Sequence, residues 1–420
     1  MTLRNRYRFG TPGDIERGSY RHTQAIRCVE RSRLPSARDP GGVEGTQKGS
    51  EPMRKGMLRT ICLGVAAVLG LAACGQGGGQ QGGGGPGTSG GEAGKIGVIL
   101  PDTKSSARWE TADRKYLGQA FEAAGVAYDI QNAQGDKQQF QTIADQMITK
   151  GVTVLMIVNL DSGTGSAVIK KAESQGVATI DYDRLTLGGG AEYYVSFDNT
   201  RVGELQGRGL AKCLDEQGVK EPTVAELNGA PTDNNATLFK NGYDSVLDPM
   251  YDAGEYTKGP DQWVPDWDNQ QAGTIFEQML TKEPGVDGVL AANDGLANSV
   301  IAILKKNKLN GKVPVTGQDA TLQGLQHILN GDQCMTVYKA IKKEADAAAR
   351  LALSLLEGKK GKTNGTVFDP EGKRKVPSVL LEPVAIFQDN VGTVVEDGFV
   401  AKEDLCAGTF AAKCAKAGIE

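Results

Sequence analysis

Hydrogen-bonding and aromatic side chains recur at positions where predicted strands end. These positions are Arg108 and Trp109, Asp183 and Arg184, Asp233 to Asn235, Trp263 and Trp267, Asn293 and Asp294, Gln318 and Asp319, and Lys339. Asp, Asn and Arg side chains make directional hydrogen bonds, and a Trp face can pack against the C–H face of a pyranose ring. The set of residue types therefore suits a small neutral polyol.

Each of these residues also has a structural explanation when it is taken alone. An Asp or Asn before a helix often caps that helix, as Asp294 before Gly295 could, and an isolated Trp is more often part of a core. The repetition of such residues after one strand after another favours a shared binding site.

Sequence motifs of enzymes are weak in this chain. Of its 2 His, His22 precedes the part that can fold and His327 fits the pattern of a helix at 321–330. No metal-ligand spacing of His or Cys occurs, and no nucleophile-elbow, Walker or dinucleotide-binding motif follows a predicted strand. Paired carboxylates could serve a glycosidase, but the nearby Arg and Asn would keep them ionised. The sequence predicts a protein that is not an enzyme and has no catalytic residue, cofactor or metal.

Strand-like and helix-like stretches alternate from Lys95 onward and must position these side chains. The predicted strands are 95–101, 126–133, 152–160, 177–183, 193–198, 222–229, one ending before Gln262, 285–294, 312–320, 333–339 and 376–387. The predicted helices are 110–124, 136–151, 165–175, 200–217, one from Asn235, 268–282, 295–307, 321–330 and 340–357.

Strands separated by helices imply βαβ units and parallel sheets, and this many strands exceed one compact sheet. The sequence therefore predicts an α/β fold with two doubly wound parallel-sheet domains. Such sheets bind ligands beyond the carboxyl ends of their strands, where the polar residues lie.

Composition restricts the class of protein further. The chain has 420 residues, 57 of them Gly, with 39% apolar residues and a formal net charge of −4. The apolar content and the small net charge exclude a wholly disordered chain, and the acidic balance argues against a nucleic-acid-binding protein.

The first 94 residues differ from the rest. Residues 1–52 are rich in Arg, Gly and Ser without an apolar period, and we interpret them as a mis-assigned start or a disordered extension. Residues 53–73 have a basic start and a short apolar run, which is typical of a signal peptide. Residues 74–94 form a Gly-rich, flexible tether.

The signal-like segment ends in Leu-Ala-Ala-Cys, which resembles the lipobox of bacterial lipoproteins. In that motif the Cys is lipidated and becomes the mature N-terminus, so the resemblance implies lipidation of Cys74 and a membrane anchor. The alternative is an ordinary signal peptide with a chance Cys.

The chain from about Lys95 to Phe399 resembles the substrate-binding proteins of bacterial sugar ABC importers, which have the type 1 periplasmic binding protein fold. The resemblance rests on Arg108-Trp109, YDR (182–184), SFDN with VGELQ (196–206), DNNA with LF (233–239), DQWV with W (261–267), AND (292–294), GQDA (317–320) and MTVYK (335–339). A shared fold alone does not produce so many ordered matches.

The resemblance implies two domains joined by three crossings of the chain, with a sugar held between them. Domain one would cover 95–200 and 340–376, domain two 201–339 and 377–403, and 404–420 would be a C-terminal tail. The domains would close on the sugar by a hinge motion. The closed form would dock on a membrane permease whose ATPase subunit drives import. The protein would act as a monomer at the outer face of the cell membrane.

The resemblance also implies roles for the residues at the strand ends. Hydrogen bonds to the sugar would come from Arg108, Asp183, Arg184, Asp233, Asn235, Asn293, Asp319 and Lys339. Trp109 and Trp267 would stack on the two faces of the ring, Trp263 would be structural and Asn234 would support its loop. The implied sugar is D-xylose. Another monosaccharide such as ribose, arabinose, glucose or galactose, a sugar-sensing receptor or regulator, and a sugar-processing enzyme are the alternatives.

Four Cys follow Cys74, and in an exported protein they can form disulfides. Three pairings are possible. We favour Cys406 with Cys414 and Cys213 with Cys334.

Overall fold

The computed structural model describes residues 94–419, which fall within one compact unit of the chain. The expected extension, the signal peptide, Cys74 and all but the last residue of the tether lie outside the described residues. Within 94–419, no helix is long and apolar enough to cross a membrane.

A seven-stranded sheet forms the first half of the fold. In spatial order its strands are β10 (Gly365–Asp369), β11 (Arg374–Leu381), β5 (Tyr193–Phe197), β4 (Ala178–Tyr182), β3 (Val152–Ile157), β1 (Lys95–Leu100) and β2 (Tyr128–Asn132). Neighbouring strands are parallel except for the β10–β11 hairpin. Because the other strands run in one direction, their carboxyl ends lie along one edge.

Helices cover both faces of this sheet. One face carries a π-helical turn (Trp109–Asp113), α1 (Arg114–Ala123) and α9 (Ile341–Leu356), and the other carries α2 (Lys137–Thr149) and α3 (Ser162–Ser174). The strands are apolar on both faces because each face packs against helices, as the sequences KIGVIL and VTVLMI show.

A second, smaller parallel sheet consists of β7 (Thr257–Trp263), β6 (Thr223–Asn228) and β8 (Gly288–Ala291). Four helices pack around it: α4 (Asn199–Gln217), α5 (Asn234–Asp252), α6 (Asn269–Lys282) and α7 (Asp294–Lys306). Helix α8 (Leu322–Asn330) packs in a separate apolar cluster with the C-terminal residues. Strands β9 (Thr336–Tyr338) and β12 (Val384–Ile386) form a separate antiparallel pair. Short helices α10 (Gly392–Glu396), α11 (Lys402–Leu405) and α12 (Ala411–Lys416) complete this half.

Helices α4 and α5 approach so closely that no side chain fits between them. A Cβ on Gly203 would lie 1.9 Å from the carbonyl oxygen of Phe239, and one on Gly242 would lie 2.1 Å from that of Thr200. This close approach places the first turns of the two helices side by side, with Asn199 Nδ2 donating to Asn235 Oδ1 at 3.0 Å.

Two predicted strands are wrong in their extent. Residues 376–387 form two strands in different sheets, because the chain breaks at Pro383, which has no N–H to continue a ladder. Residues 312–320 contribute only a bridge from Val315 to Val289. Beyond it the positive φ of Asp319 (95°) and Ala320 (50°) ends the extended conformation.

The structure also shifts the expected divisions of the chain. Strand β11 belongs to the large sheet as far as Leu381, pairing first with β10 and from Ser378 with β5, so residues 377–381 do not join the second half as expected. Residues 404–419 do not form a separate tail, because Leu405 and Cys414 pack in the same apolar cluster as Leu325 and Ile328 of α8. The cysteines are joined as Cys213–Cys334 and Cys406–Cys414.

Candidate ligand-binding site

A cavity lies where the carboxyl ends of the strands in the two halves face each other. The residues singled out from the sequence meet here: Arg108, Trp109, Asp183, Arg184, Asp233, Asn235, Trp267, Asn293, Asp319 and Lys339 all line it. Each is at most 6% exposed. The structure therefore brings together residues that are separated by up to 231 positions in the chain (108 to 339).

The half of the fold with the seven-stranded sheet forms the first side of the cavity, and the other half forms the second side. Arg108 lies at the centre of the first side. Its guanidinium donates to both carboxylate oxygens of Asp113 at 2.8 and 2.9 Å, to Asp183 Oδ2 at 2.8 Å and to Glu344 Oε2 at 2.7 Å. Tyr182 donates to Asp113 Oδ1 at 2.6 Å. Three carboxylates thus fix one cation in a single orientation.

The pKa values of these groups follow from burial and charge. Burial raises the pKa of Asp183, but the charges of Arg108, Lys339 and Arg184 outweigh it and hold that pKa below its usual value. For Glu344 burial prevails and, with the charges of Asp183 and Asp113, keeps the pKa well above the usual carboxyl range despite Arg108. Asp183 is therefore ionised at neutral pH.

Trp109 lies directly beside this cluster, on the π-helical turn that opens the first helical segment. Its Nε1 donates to Ser105 Oγ at 3.0 Å. The guanidinium carbon of Arg108 lies 4.4 Å from the ring centroid and that of Arg184 lies 5.5 Å away. These cation–π contacts fix the plane of the indole.

Arg184 connects the first side of the cavity to the second. Its Nε lies 3.0 Å from Asp233 Oδ2, and its Nη1 donates to the backbone carbonyl of Asn159 at 3.2 Å. Asn235 makes a parallel connection, because its Nδ2 donates to the backbone carbonyl of Asp183 at 2.9 Å.

On the second side, helix caps position the polar groups. Asp233 caps α5 and its Oδ1 accepts from the backbone N–H of Asn235 at 2.9 Å, while its Oδ2 accepts from Trp267 Nε1 at 3.1 Å. Asn293 caps α7 through its Oδ1, and its Nδ2 donates to the backbone carbonyl of Ser105 at 3.0 Å. Cap residues thus also serve as lining residues.

Asp319 and Lys339 complete the ring of charges. The Nζ of Lys339 lies 3.1 Å from Asp319 Oδ1 and 4.0 Å from Asp183 Oδ2. Ser106 Oγ donates to Asp319 Oδ2 at 3.0 Å.

Strained backbone is concentrated at this site. Asp183 (φ 62°), Trp267 (φ 55°) and Asp319 (φ 95°) all adopt positive φ. Such conformations cost about 1–3 kcal/mol each in non-glycine residues, and they persist where surrounding contacts impose them. The three residues all line the cavity, so the strain coincides with the candidate site.

One buried acceptor at the cavity lacks a protein donor. Within the described chain, Gln318 Oε1 has no hydrogen-bond partner, whereas Asp319 Oδ1 is ion-paired with Lys339. An unpaired buried acceptor costs about 1–3 kcal/mol. A ligand that brings a hydroxyl donor to the Gln318 oxygen would remove that cost.

Three further lining residues, Ser105, Ser106 and Phe239, were given no role from the sequence, and Gln318 was noted at a strand end without a role in binding. Gln318 stood at a predicted strand end and could have been included on that signal. Glu344, which orients Arg108 from behind, lies inside an Ala-rich helix, where the sequence carries no sign of a buried carboxylate.

Two other candidates from the sequence, Trp263 and Asp294, do not line the cavity. Trp263 is the last residue of β7 and packs against the core of the second half. Asp294 is buried behind the cavity and accepts from Gln333, Thr336 and Thr321. Across residues 94–419, no group of three or more His, Cys, Asp or Glu side chains could hold a metal ion.

Comparison with known proteins identifies the family of this chain. Residues 96–360 match the family model described as a periplasmic binding protein domain. The chain is 38% identical over 313 residues to the D-xylose-binding periplasmic protein of Haemophilus influenzae, covering 74% of this chain and 92% of that protein. It is 35% identical to the multiple sugar-binding periplasmic protein SbpA of Azospirillum brasilense, with 72% and 89% covered.

Among solved structures, the chain resembles a carbohydrate transporter solute-binding protein from Chloroflexus aurantiacus in complex with D-glucose. The TM-score is 0.68 at 28% identity, with 74% of this chain and 97% of that chain covered.

Proposed function

The chain belongs to the periplasmic binding protein family as a sugar-binding component of an ABC transporter, and we propose that its sugar is D-xylose and that a lipid on Cys74 anchors it. Its relatives are sugar-binding transport proteins, not enzymes.

The observation that carries the proposed site is the cavity in which two indoles, three cations and several carboxylates and amides converge. Hydroxyl groups both donate and accept. They can therefore meet the unpaired oxygen of Gln318 as well as the N–H groups of Arg108, Arg184 and Lys339. Trp109 and Trp267 offer apolar surface to the C–H faces of the ring. We propose that all ten predicted residues contact the sugar.

The choice of D-xylose is supported by the 38% identity to a D-xylose-binding protein over nearly all of its length. A broader specificity is the second candidate, because a relative at 35% identity is a multiple sugar-binding protein. Specificity between these sugars depends on which hydroxyls find partners, since a buried polar group left unpaired weakens binding strongly.

We further propose that sugar binding favours the closed arrangement of the two halves. Several contacts in the structure join the halves at the cavity, among them Asn293 to Ser105, Asp319 to Ser106, Asp233 to Arg184 and Asn235 to Asp183. A sugar that touches both sides adds contacts only in this arrangement, and the population shifts toward it. The permease and its ATPase subunit would then receive the sugar.

Calorimetric titration of the compact unit 85–420 with D-xylose, D-ribose, L-arabinose, D-glucose and D-galactose tests the specificity. We expect the tightest binding for D-xylose. Tight binding of another sugar with none for D-xylose would overturn the xylose assignment, and sugar turnover in the same samples would point to an enzyme.

The lipid anchor is tested in cells with the full chain. We expect the wild-type protein to be retained in the membrane fraction and to incorporate labelled palmitate, and Cys74→Ala to be released without label. Membrane retention and labelling that survive Cys74→Ala would exclude the anchor.

A further inference from the structure

A cluster of basic residues lies on one segment of this acidic protein. Residues 359–375 hold six Lys and Arg but two Asp and Glu, whereas the whole chain has a formal net charge of −4. This segment, named here the basic hairpin, comprises the loop after α9, strand β10, its turn and the start of β11. Its basic residues are Lys359, Lys360, Lys362, Lys373, Arg374 and Lys375.

The positive charge of the basic hairpin faces solvent, whereas one of its two acidic residues is buried. All five lysines are exposed. Among the residues that the structure describes, Lys359 pairs with Glu357, and the other four lysines have no carboxylate within 4.0 Å. Asp369 is fully buried, and its carboxylate accepts from the backbone N–H groups of Gly188, Glu371 and Gly372. Glu371 is therefore the one exposed acidic residue of the hairpin.

An aromatic side chain stands among these lysines. Phe368 is 59% exposed and is paired across the hairpin with Lys375. The neighbouring pair, Val367 and Val376, faces inward against Leu185 and Tyr194. Because side chains alternate along a strand, Phe368 and Lys375 share the outward face. An exposed aromatic ring beside basic residues is the pattern that binds at the interface of an anionic bilayer.

The chain that leads to Cys74 leaves the body at the same edge as the basic hairpin. Gly94 lies against Leu356, the last residue of α9, since a Cβ there would be 2.7 Å from Leu356 Cδ2. Lys359 follows three residues later, at most about 11 Å of chain away. Arg374 begins β11 at the amino edge of the sheet, four strand positions from β1, or about 19 Å.

We propose that the basic hairpin binds the anionic surface of the membrane and, together with the lipid, orients the body on it. The lipid alone, through a Gly-rich tether, would leave the orientation free. The proposal of an oriented body rests on the lipid anchor proposed above, whereas the affinity of the hairpin for anionic lipid does not.

Vesicle flotation of the compact unit 85–420, which lacks the lipid and the basic N-terminal segment, tests the hairpin by itself. Its strands and apolar clusters find their partners within the unit, and a thermal melt together with sugar titration confirms its folding. We expect binding to vesicles of equal parts phosphatidylglycerol and phosphatidylcholine, none to phosphatidylcholine alone, and loss of binding as salt rises from about 0.05 to 0.5 M.

Two variants locate the binding surface. K360E/K362E/K373E/K375E should lower vesicle binding at least tenfold, and F368S should lower it several-fold. The control K282E/K308E/K312E/K402E changes the net charge equally at four exposed lysines outside the hairpin and should lower binding less than threefold.

Equal losses in the hairpin and control variants, or no wild-type binding to anionic vesicles, would overturn the proposal. If the variant with four hairpin substitutions does not fold, F368S provides the test. Full vesicle binding by F368S would exclude the outward face of the hairpin as the binding surface. Binding to cell membranes but not to pure lipid vesicles would indicate a protein partner instead. Sugar titration of each variant separates these outcomes from a failure of the proposed sugar site.

Discussion

The two sides of the cavity are built by different physical means. On the first side, Arg108 is enclosed by Asp113, Asp183 and Glu344, and four of its five N–H donors are satisfied before any ligand arrives. On the second side, Asp233 and Asn293 are helix caps, while Gln318 keeps an unpaired oxygen at the cavity.

This difference indicates a division of labour. The first side is a preorganised ion network whose geometry does not depend on the sugar, because its charges already satisfy one another. The second side keeps hydrogen-bonding capacity and strained backbone at Trp267 and Asp319 in reserve for a ligand. Loss of a first-side residue should therefore reduce stability and binding together, whereas loss of a second-side residue should act mainly on binding.

Removal of Arg108 should give the largest effect. Arg108→Met leaves three buried carboxylates without their cation, and we expect the free energy of unfolding to fall by about 3–5 kcal/mol and sugar binding to be lost. Urea denaturation and calorimetry measure the two effects. The control Arg201→Met breaks a partly exposed pair with Glu204 and should cost less than about 1 kcal/mol. Equal costs in the two variants would contradict the network.

Substitution of Trp267 should have the second-largest effect, and this effect should be on sugar affinity. Trp267→Ala removes a stacking face and the donor to Asp233, and we expect sugar affinity to fall by at least about 30-fold, equivalent to 2 kcal/mol. Trp267→Phe keeps a face without the N–H and should lie between wild type and Ala. Trp263→Phe, outside the cavity, should bind within about twofold of wild type. Unchanged affinity of Trp267→Ala would exclude stacking at this position.

Gln318 offers the clearest separation of binding from stability. Gln318→Met is similar in shape and removes an acceptor that has no partner among the described residues. We expect sugar affinity to fall by about 5- to 30-fold, because one hydrogen bond to the ligand is lost, while the free energy of unfolding stays equal or rises. A large loss of stability would show that the oxygen is satisfied within the protein.

The smallest predicted effect concerns pH and Asp294, behind the second side. Burial raises the pKa of Asp294 to about 6 from 3.8, so the folded state binds its proton more tightly than the unfolded state. Its contribution to stability is therefore greatest at low pH and is lost as pH rises through about 6. We expect a change of about 1 kcal/mol between pH 5 and pH 7.

Asp294→Asn mimics the protonated carboxyl at every pH and should therefore lack this dependence of stability on pH. The measurement is the difference in unfolding free energy between wild type and variant at pH 5, 6 and 7. Wild type should lose stability relative to the variant as pH rises. The opposite trend would indicate that Asp294 is stabilised in its ionised form, as Asp183 is on the first side.

The sequence by itself determined the alternation of strands and helices and the lining residues that follow strands. Period and turn residues are local signals, and parallel strands bring their carboxyl ends to one edge whatever their order. Residues such as Asp183 and Asn293 can therefore be assigned to the carboxyl ends of strands from local pattern alone.

The tertiary structure alone decided what surrounds those residues. Glu344 reaches Arg108 only because α9 packs beside the first helical turn, 236 residues away in the chain. The division of residues 376–387 between two sheets likewise depends on which strands are available to pair, with β5 on one side of Pro383 and β9 on the other. Contacts across such distances are set by packing, and a local pattern carries no record of them.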